Sequence, residues 1–413
     1  MPAFLRAFFL VCCNWAMPSF YEFFAGGGMV RAGLGEEWEC LFANDIDAKK
    51  AASYTANWGA GRLKIADVGS LAAADLPGRA DLAWASFPCQ DLSLAGAYVG
   101  LQGRRSGAVW PFWRLMQALA AEGRAPSIVV LENVCGALTS HGGEDFAAIG
   151  AALADGGYRF GALVMDAVRF LPQSRPRLLI VGIRRGRAVP DRLVAAGPDP
   201  LWHPPRLAGA YEKLSRQSKA AWAWWKLPEP PPRTSTFSES IENHPRGVVW
   251  HSAAETRRLL SLMSPLHRRK VELAKTAGRP MFGAIYKRTR RDESGKSVQR
   301  AEIRFDGVSG CLRTPVGGSS RQSILVVEGS AVRSRLLSPR EAARLMGLPD
   351  SYRLPENYNE AYHLAGDGVA VPVVRFLAAR LLEPLLGYFC TSASIASNSL
   401  PASAQCPWED SSR

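Results

Sequence analysis

Between Phe20 and Gly182, apolar strand-like runs alternate with helix-like stretches, and this alternation constrains the fold more than any other feature of the sequence. "FYEFFAG" reads as a strand entering a glycine turn, and "GMVRAGLGEE" as a helix. "ECLFANDID" is a second strand and "AKKAASYTANW" a second helix; "ADLAWASFP" is strand-like and "AVWPFWRLMQALAAEG" an amphipathic helix. "SIVVLENV" is a β-branched strand, "EDFAAIGAALADGGY" a helix ending on Gly156 and Gly157, and "RFGALVMDA" and "RLLIVGIR" close the series. Such alternation predicts an α/β fold with a mostly parallel sheet and helices on both faces. Ligands of such sheets bind beyond the carboxyl ends of the strands, and the distinctive residues of this chain fall at those ends.

After Arg187 the texture changes. "PDPLWHPPRL" and "LPEPPPRTS" are proline-rich and break regular structure, and "AAWAWWK" packs Trp222, Trp224 and Trp225 together. This reads as the start of a second, less regular domain. Residues 268–304 hold twelve Lys or Arg against four Asp or Glu, out of a formal net charge of +13 for the whole chain. A run so one-sided suits a phosphate-contacting surface better than a solvated face, and the overall balance suggests nucleic acid rather than membrane as the partner. Further on, Ser338, Pro339 and Glu341 have the spacing of a capping box that starts a helix, which Gly347 and Pro349 end. "HLAGDGVAVPVVRFLAARLLEPLL" reads as a glycine turn leading into an apolar helix, and the Ser/Ala-rich tail from Thr391 as disordered.

The eight cysteines (12, 13, 40, 89, 135, 311, 390 and 406) are scattered without a C-x-x-C pair. That argues against structural zinc and a disulfide framework, predicts no metal, and fits a reducing cytoplasm. No apolar run approaches the roughly 20 residues that span a bilayer. "MPAFLRAFFLVCCNWAMPSF" faintly resembles a signal peptide, but its charged region is poor and no clean A-x-A site follows. An upstream start, with Met17 as the natural one, is the expectation; deleting residues 1–16 should then leave activity intact.

Four constellations carry chemistry. In "FFAGGGMVRAGLG", Phe23 and Phe24 end a strand and Gly26, Gly27 and Gly28 turn before a helix, which lets backbone approach a ligand. Asp45 or Asp47 could then bind ribose hydroxyls, and Asp67 could accept from an adenine amino group, so a nucleoside cofactor fits the set. The strict G-x-G-x-x-G register of a dinucleotide site is absent, and a tight structural turn would look the same. In "ASFPCQDLSLAG", Pro88 ends the strand and Cys89 begins a loop at the ligand edge. One cysteine there is either a small buried hydrophobe or a nucleophile. In "VVLENV", Glu132 and Asn133 end a buried strand; a carboxyl after four apolar residues could be a general acid of raised pKa, or an exposed strand end. In "LPQSRPRLLIVG", Gln173, Arg175 and Arg177 alternate, which in a strand puts them on one face, where two guanidiniums could hold phosphate or pair with Glu132.

In this order, "FFAGGG", "NDID", "DVGSL", "FPCQDLS", "LENV", "QSRPR", "RLLSPREAARLMGLPDSY" and "GDGVAVPVV" resemble the DNA (cytosine-5)-methyltransferases, over nearly the whole chain from Phe20 to about Leu386. The resemblance implies a Rossmann-like methyltransferase domain, dependent on S-adenosylmethionine, from residues 19–187 and 362–389. It implies a smaller irregular target recognition domain with a connecting helix in 188–361; an N-terminal extension of 1–18, read as non-native, precedes the whole, and a disordered tail of 390–413 follows it. It implies a donor pocket lined by Phe24, Ala25, Gly26, Gly28, Asp45, Ile46, Asp67, Val68 and Pro88, with Gly366, Asp367 and Val369 returning from the far end. Cys89 becomes the nucleophile, Glu132 its partner on the base, and Arg175 a contact of the cytosine or a brace for Glu132. Gln90, Arg177, Arg288, Arg290, Arg313, Arg321 and Gln322 become DNA contacts. Double-stranded DNA is the implied partner, a cognate restriction endonuclease a possible second one, and a monomer would suffice.

The chemistry asks for the same residue types. C5 of cytosine is a poor nucleophile; a thiolate adding at C6 pushes electron density to C5, and an acid at N3 drains the developing charge. The base must leave the stack, at a cost of a few kcal/mol. A loop holding Cys89, Gln90 and "LAGAYVGLQGRRSG" would close over it. Two residues depart from the family: "GDG" stands where Gly-Asn-Ser or similar is usual, and Asp45 where Glu is frequent. Competing readings are tRNA as substrate, a non-catalytic DNA-binding protein on the same fold, and an NAD-dependent dehydrogenase. The last leaves the Cys, Glu and Arg motifs unexplained. Arginine and glutamine in "LRTPVGGSSRQ" suit guanine and adenine edges of duplex DNA.

Overall fold

The computed structural model describes residues 17–88, 106–292, 294–313 and 321–387. Strands and helices alternate through β1 (Ser19–Phe23), α1 (Met29–Leu34), β2 (Glu39–Asp45), α2 (Ala48–Trp58), β3 (Leu63–Ile65), β4 (Leu82–Ala85), α3 (Val109–Ala121), β5 (Ile128–Asn133), α4 (Glu144–Asp155), β6 (Tyr158–Asp166) and β7 (Pro176–Arg184). The strands form one seven-stranded sheet of order β3-β2-β1-β4-β5-β7-β6. From β3 to β5 the pairing is parallel, and β7 runs antiparallel to both its neighbours. The chain builds outward from β1 in one direction and then returns to build outward from β4 in the other. The adjacent ends of β1 and β4 are therefore the switch point where such sheets bind ligands.

Side-chain alternation divides the core between the two faces of the sheet. Phe20, Leu82, Trp84 and Val130 pack on one face with α1; Tyr21, Phe23, Ala83, Leu131 and the apolar side of α3 pack on the other. The first face is completed from the far end of the chain. After β8 (Val194–Ala195), α5 (Pro205–Glu212), α6 (Arg216–Ala220) and β9 (Trp224–Trp225) come α7 (Ala253–Ser261), α8 (Pro265–Lys275), β10 (Met281–Arg291), β11 (Ser297–Arg304), β12 (Ser323–Glu328) and β13 (Ala331–Leu336). The described residues close with α9 (Pro339–Arg344), α10 (Tyr358–Asp367), α11 (Val371–Leu377) and α12 (Glu383–Leu386). α11 lies on α1 so closely that a Cβ at Gly33 would sit 2.5 Å from Val374 Cβ. Only glycine allows that approach.

The second region is more regular than its composition suggested. β11-β10-β12-β13 form an antiparallel sheet, and α7 and α8 share its small core of Leu259, Val271, Ile285, Ile303 and Leu325. Alternate residues of the same strands, Ala284, Ile324 and Val326, join the main core instead. The tryptophan cluster does not open this region. Trp222 bridges to Phe160 of β6, and Trp225 Nε1 donates to the Val181 carbonyl of β7 at 3.0 Å. The cluster thus seals the outer edge of the main sheet, because proline-rich chain there still has large apolar rings to bury.

The capping box at Ser338 forms as predicted: its hydroxyl accepts from Glu341 N, and the Glu341 carboxylate accepts from Ser338 N. That carboxylate is also fully buried against Arg335, with Nη2 to Oε1 at 2.6 Å. Among the described residues no helix is long and apolar enough to cross a membrane. The expected extension of 1–16 and the tail from 390 lie outside the described residues.

Candidate active site

Four strand ends at the switch point place the site. Phe23 of β1 pairs with Ala85 of β4, Ala85 with Leu131 of β5, and Glu132 of β5 with Leu179 of β7. Reading across the sheet, the glycine turn, the segment entering Cys89, the Glu132 carboxyl and the arginine of early β7 come side by side.

The glycine turn leaves β1 at Phe24, whose φ of 58° lies in the left-handed region; the strand ends at Phe23 rather than including Phe24. Ala25 N donates to the Asn44 carbonyl at 2.9 Å, and Gly26 N to Asp45 Oδ2 at 2.7 Å. Gly26 itself has a φ of +54°, and a Cβ there would meet nothing within 4 Å, so backbone faces open space. A Cβ at Gly28 would instead strike Trp58 Nε1 at 2.4 Å. The Gly27 carbonyl accepts from Trp58 Nε1 and Tyr352 Oη, which fixes the turn from both ends of the chain.

Asp45 is buried at the end of β2 and also accepts from Asp47 N at 2.8 Å. Asp47 is occupied as the N-cap of α2, accepting from Lys49 N and Lys50 N, so of the two expected ribose ligands Asp45 faces the turn. Ile46 next to it is 65% exposed, an apolar surface left for a partner. Asp67 is exposed and caps a short 3-10 turn through Gly69 N, with Val68 buried beneath. Gly366 and Asp367 close α10 rather than forming a free glycine turn, and Val369 is buried just beyond.

Cys89 and Gln90 lie outside the described residues, and so does the loop expected to close over them. The approach to Cys89 is described up to Pro88. Asn133 Nδ2 donates to the Phe87 carbonyl at 3.1 Å, so the residue after Glu132 holds the backbone two positions before the cysteine. Glu132 is 6% exposed. Burial raises its pKa; Arg177, Arg175 and the Ser86 hydroxyl oppose the shift. Arg177 Nε lies 3.2 Å from Glu132 Oε1.

The expectation of one strand face for Gln173, Arg175 and Arg177 needs correction. β7 begins at Pro176, so only Arg177 is in the strand. Arg175 is buried away from the Glu132 ion pair: Nη2 donates to the Gly366 and Gly368 carbonyls, both at 2.7 Å, and Nη1 to the Leu312 carbonyl at 2.9 Å. It ties the late turn to the second region, while Arg177 braces the acid. Gln173 is fully buried and clasps the Leu345 carbonyl and Leu312 N. No sequence pattern points to Cys311, whose Sγ lies 3.3 Å from Arg175 Nη1. Burial would raise that thiol, but Arg175, Arg177 and Arg313 outweigh it and hold it below its usual range.

The expected DNA contacts divide. Arg288 and Arg290 are exposed on β10 and share Glu302 of β11. Arg313 is exposed at the edge of the described chain. Arg321 is held by Asn359 and lies over the Tyr358 ring, 5.7 Å from its centroid. Gln322 is 3% exposed and donates to the Gly310 carbonyl, so here its side chain is turned into the protein.

A family model described as C-5 cytosine-specific DNA methylase matches residues 19–383. The chain belongs to this family. It is therefore a DNA cytosine-5 methyltransferase, with S-adenosylmethionine as the family's methyl donor. The type II methyltransferase M.BsuFI of Bacillus subtilis is 26% identical over 89% of this chain and 73% of its own length. M.NlaX of Neisseria lactamica is 26% identical over 88% of this chain and 96% of its own. Among solved structures, the S. pombe Dnmt2 methyltransferase has a TM-score of 0.53 at 17% identity, covering 89% of this chain and 99% of that one. An Escherichia coli prophage protein, described as a putative DNA modification methyltransferase, has a TM-score of 0.51 at 16% identity, covering 90% of this chain and 99% of that one.

Proposed function

We propose that this methyltransferase methylates C5 of a cytosine flipped out of a specific double-stranded DNA sequence, with Cys89 adding covalently to C6. The observation that carries the reading is the sheet register: it lines up the glycine turn, the segment entering Cys89 and the buried Glu132–Arg177 pair. The residues present fit the donor. Gly26 leaves an open cradle, Asp45 orients its amide, and Ile46 offers an exposed apolar face. Phe24, Gly28, Asp67, Val68, Pro88, Gly366 and Val369 complete the proposed pocket. When bound, S-adenosylmethionine supplies an electrophilic methyl group.

The protein's own residues do the rest. Pro88 and the Asn133–Phe87 hydrogen bond fix the backbone that leads to Cys89, and Cys89 supplies the thiolate for C6. Addition forms the S–C6 bond and moves the C5–C6 π pair toward C5 and N3. Glu132, held protonated more readily by burial, hydrogen-bonds or protonates N3. Arg177 keeps the carboxyl in place and is the arginine beside the base, the role expected of Arg175. After methyl transfer a base removes the C5 proton, the C5–C6 double bond re-forms and the thiolate leaves.

Target recognition falls to the 188–361 segment, with the basic hairpin of β10 and β11 on phosphates. The relatives' names as type II methyltransferases support a role beside a restriction endonuclease, and a monomer in the cytoplasm suffices. Expression in a methylation-free host followed by bisulfite sequencing tests the reading: 5-methylcytosine at one short motif is expected. Unmodified DNA, with labelled methyl appearing in tRNA instead, would overturn the substrate. Cys89→Ala should abolish transfer while donor binding survives; full methylation by that variant would refute the nucleophile.

A further inference from the structure

The late turn reads Gly366-Asp367-Gly368 where the family usually has an amide, so it carries a charge that needs a partner. Lys50 supplies it, with Nζ 2.6 Å from Asp367 Oδ2 across 317 residues of chain. Lys50 lies in the first turn of α2, where the helix dipole disfavours a cation. Its ammonium is held there by Asp367, Asp45 and Asp47, which favour its charged form against burial. Asp45 in turn orients Gly26 N at the open cradle. On the other side, Gly368 abuts the first residue of α1: a Cβ there would fall 2.1 Å from Met29 Sδ. Asp367 thus sits between the start of α1 and the first turn of α2, beside the proposed donor pocket. Asp367 touches the Lys50 ammonium, Asp45 and Asp47 act on it from farther off, and the buried Arg175 guanidinium also acts on Asp367.

The donor and its product differ by one formal charge. S-adenosylmethionine carries a sulfonium; when its methyl leaves, the C–S bonding pair stays on sulfur as a neutral thioether. We propose that Asp367, with its charge partly offset by Lys50 and Arg175, is a specificity residue that makes the pocket favour the cationic donor over the neutral product S-adenosylhomocysteine. This rests on reading the pocket as the donor site. The Asp367 side chain is 40% exposed, so the preference it adds is about two- to fivefold in affinity ratio, and salt reduces it.

Calorimetric titration of the full chain with each of the two molecules, at low and high salt, tests this. Asp367→Asn should weaken the donor about two- to fivefold and the product little, and Lys50→Met should move the ratio of the two affinities the other way. Lys50→Arg, which keeps the charge, should restore the wild-type ratio. Equal weakening of both ligands by Asp367→Asn, or no change, would overturn the inference and leave Asp367 a positioning residue. If wild type binds neither molecule, the donor-pocket reading itself fails. Should Asp367→Asn not fold, the wild-type ratio still decides: it must fall as salt rises, and a salt-independent ratio overturns the proposal.

Discussion

Two arginine-bearing regions of this molecule do opposite things with the same side chain. At the start of β7, Arg175 and Arg177 sit in a buried wall where each guanidinium has assigned partners: backbone carbonyls for one, the Glu132 carboxyl for the other. On β10, Arg288 and Arg290 are exposed and share one carboxylate, Glu302. Burial makes an unmet donor costly, so the wall is specified residue by residue. On the hairpin the solvent substitutes for any lost partner, and the charge counts more than the geometry. Removing groups should therefore act sharply and distinctly in the wall, and weakly and interchangeably on the hairpin.

Glu132→Gln is expected to give the largest effect, a loss of about 10²- to 10⁴-fold in kcat with donor affinity unchanged. Burial keeps the wild-type acid protonated to higher pH than an exposed glutamate. Wild-type transfer should thus show an alkaline decline from this group, absent from the residual rate of the variant. Single-turnover methylation across pH checks both; a variant within threefold of wild type would remove Glu132 from the chemistry. Next come the two arginines. Arg175→Lys cannot span the carbonyls of Leu312, Gly366 and Gly368, and should lower stability by about 2–4 kcal/mol. Arg177→Lys keeps a cation beside Glu132 and should cost about tenfold in kcat with little change in Tm. Thermal melts with matched kinetics separate them, and equal losses of Tm would break the division of labour within the wall.

How much of this was legible in the sequence follows the same contrast. Strand ends, the glycine turn and the capping box at Ser338 were readable because local patterning fixes them. The partner of Glu132 was not: choosing Arg177 over Arg175 depends on β7 starting at Pro176, and an arginine just before a proline gives no local sign of its three carbonyl partners. Lys50 and Asp367 are 317 positions apart, beyond any periodicity. Trp222 and Trp225 were assigned to the wrong neighbour because aromatic clusters announce burial but not the surface they will cover. Residue type suggests Gln322 as a base reader but says nothing of its burial, which only the fold determines.

A third buried charge extends the comparison. Glu22 of β1 is fully buried, facing the Val30 and Arg31 amides without a close hydrogen bond to either oxygen. Burial pushes its pKa up to about 8, against the opposing pull of Arg31 and the amides at the start of α1. Between its ordinary value and about 8 the folded state holds a proton that the unfolded state has lost. Stability from this group is therefore present at low pH and drains away as pH rises through that window. Glu22→Gln should remove the slope, leaving Tm close to wild type at pH 5 and higher by roughly several degrees at pH 8.5. Parallel melting curves at all pH values would show that Glu22 does not titrate in this range.

The smallest effects are expected on the hairpin. Arg288→Ala and Arg290→Ala should each weaken DNA binding only a few-fold and lower the slope of log affinity against log salt by about one unit. Neither should change which motif is methylated, because contacts to phosphate carry no sequence information. Glu302 now neutralises part of both charges, so Glu302→Gln should tighten binding slightly and steepen the salt slope. Fluorescence anisotropy across a salt series, with bisulfite sequencing of the product, measures both quantities. Were Arg288→Ala to relax the methylated motif without altering the salt slope, the hairpin would be reading bases. It would then belong with the buried wall, as a place where each guanidinium has one assigned partner.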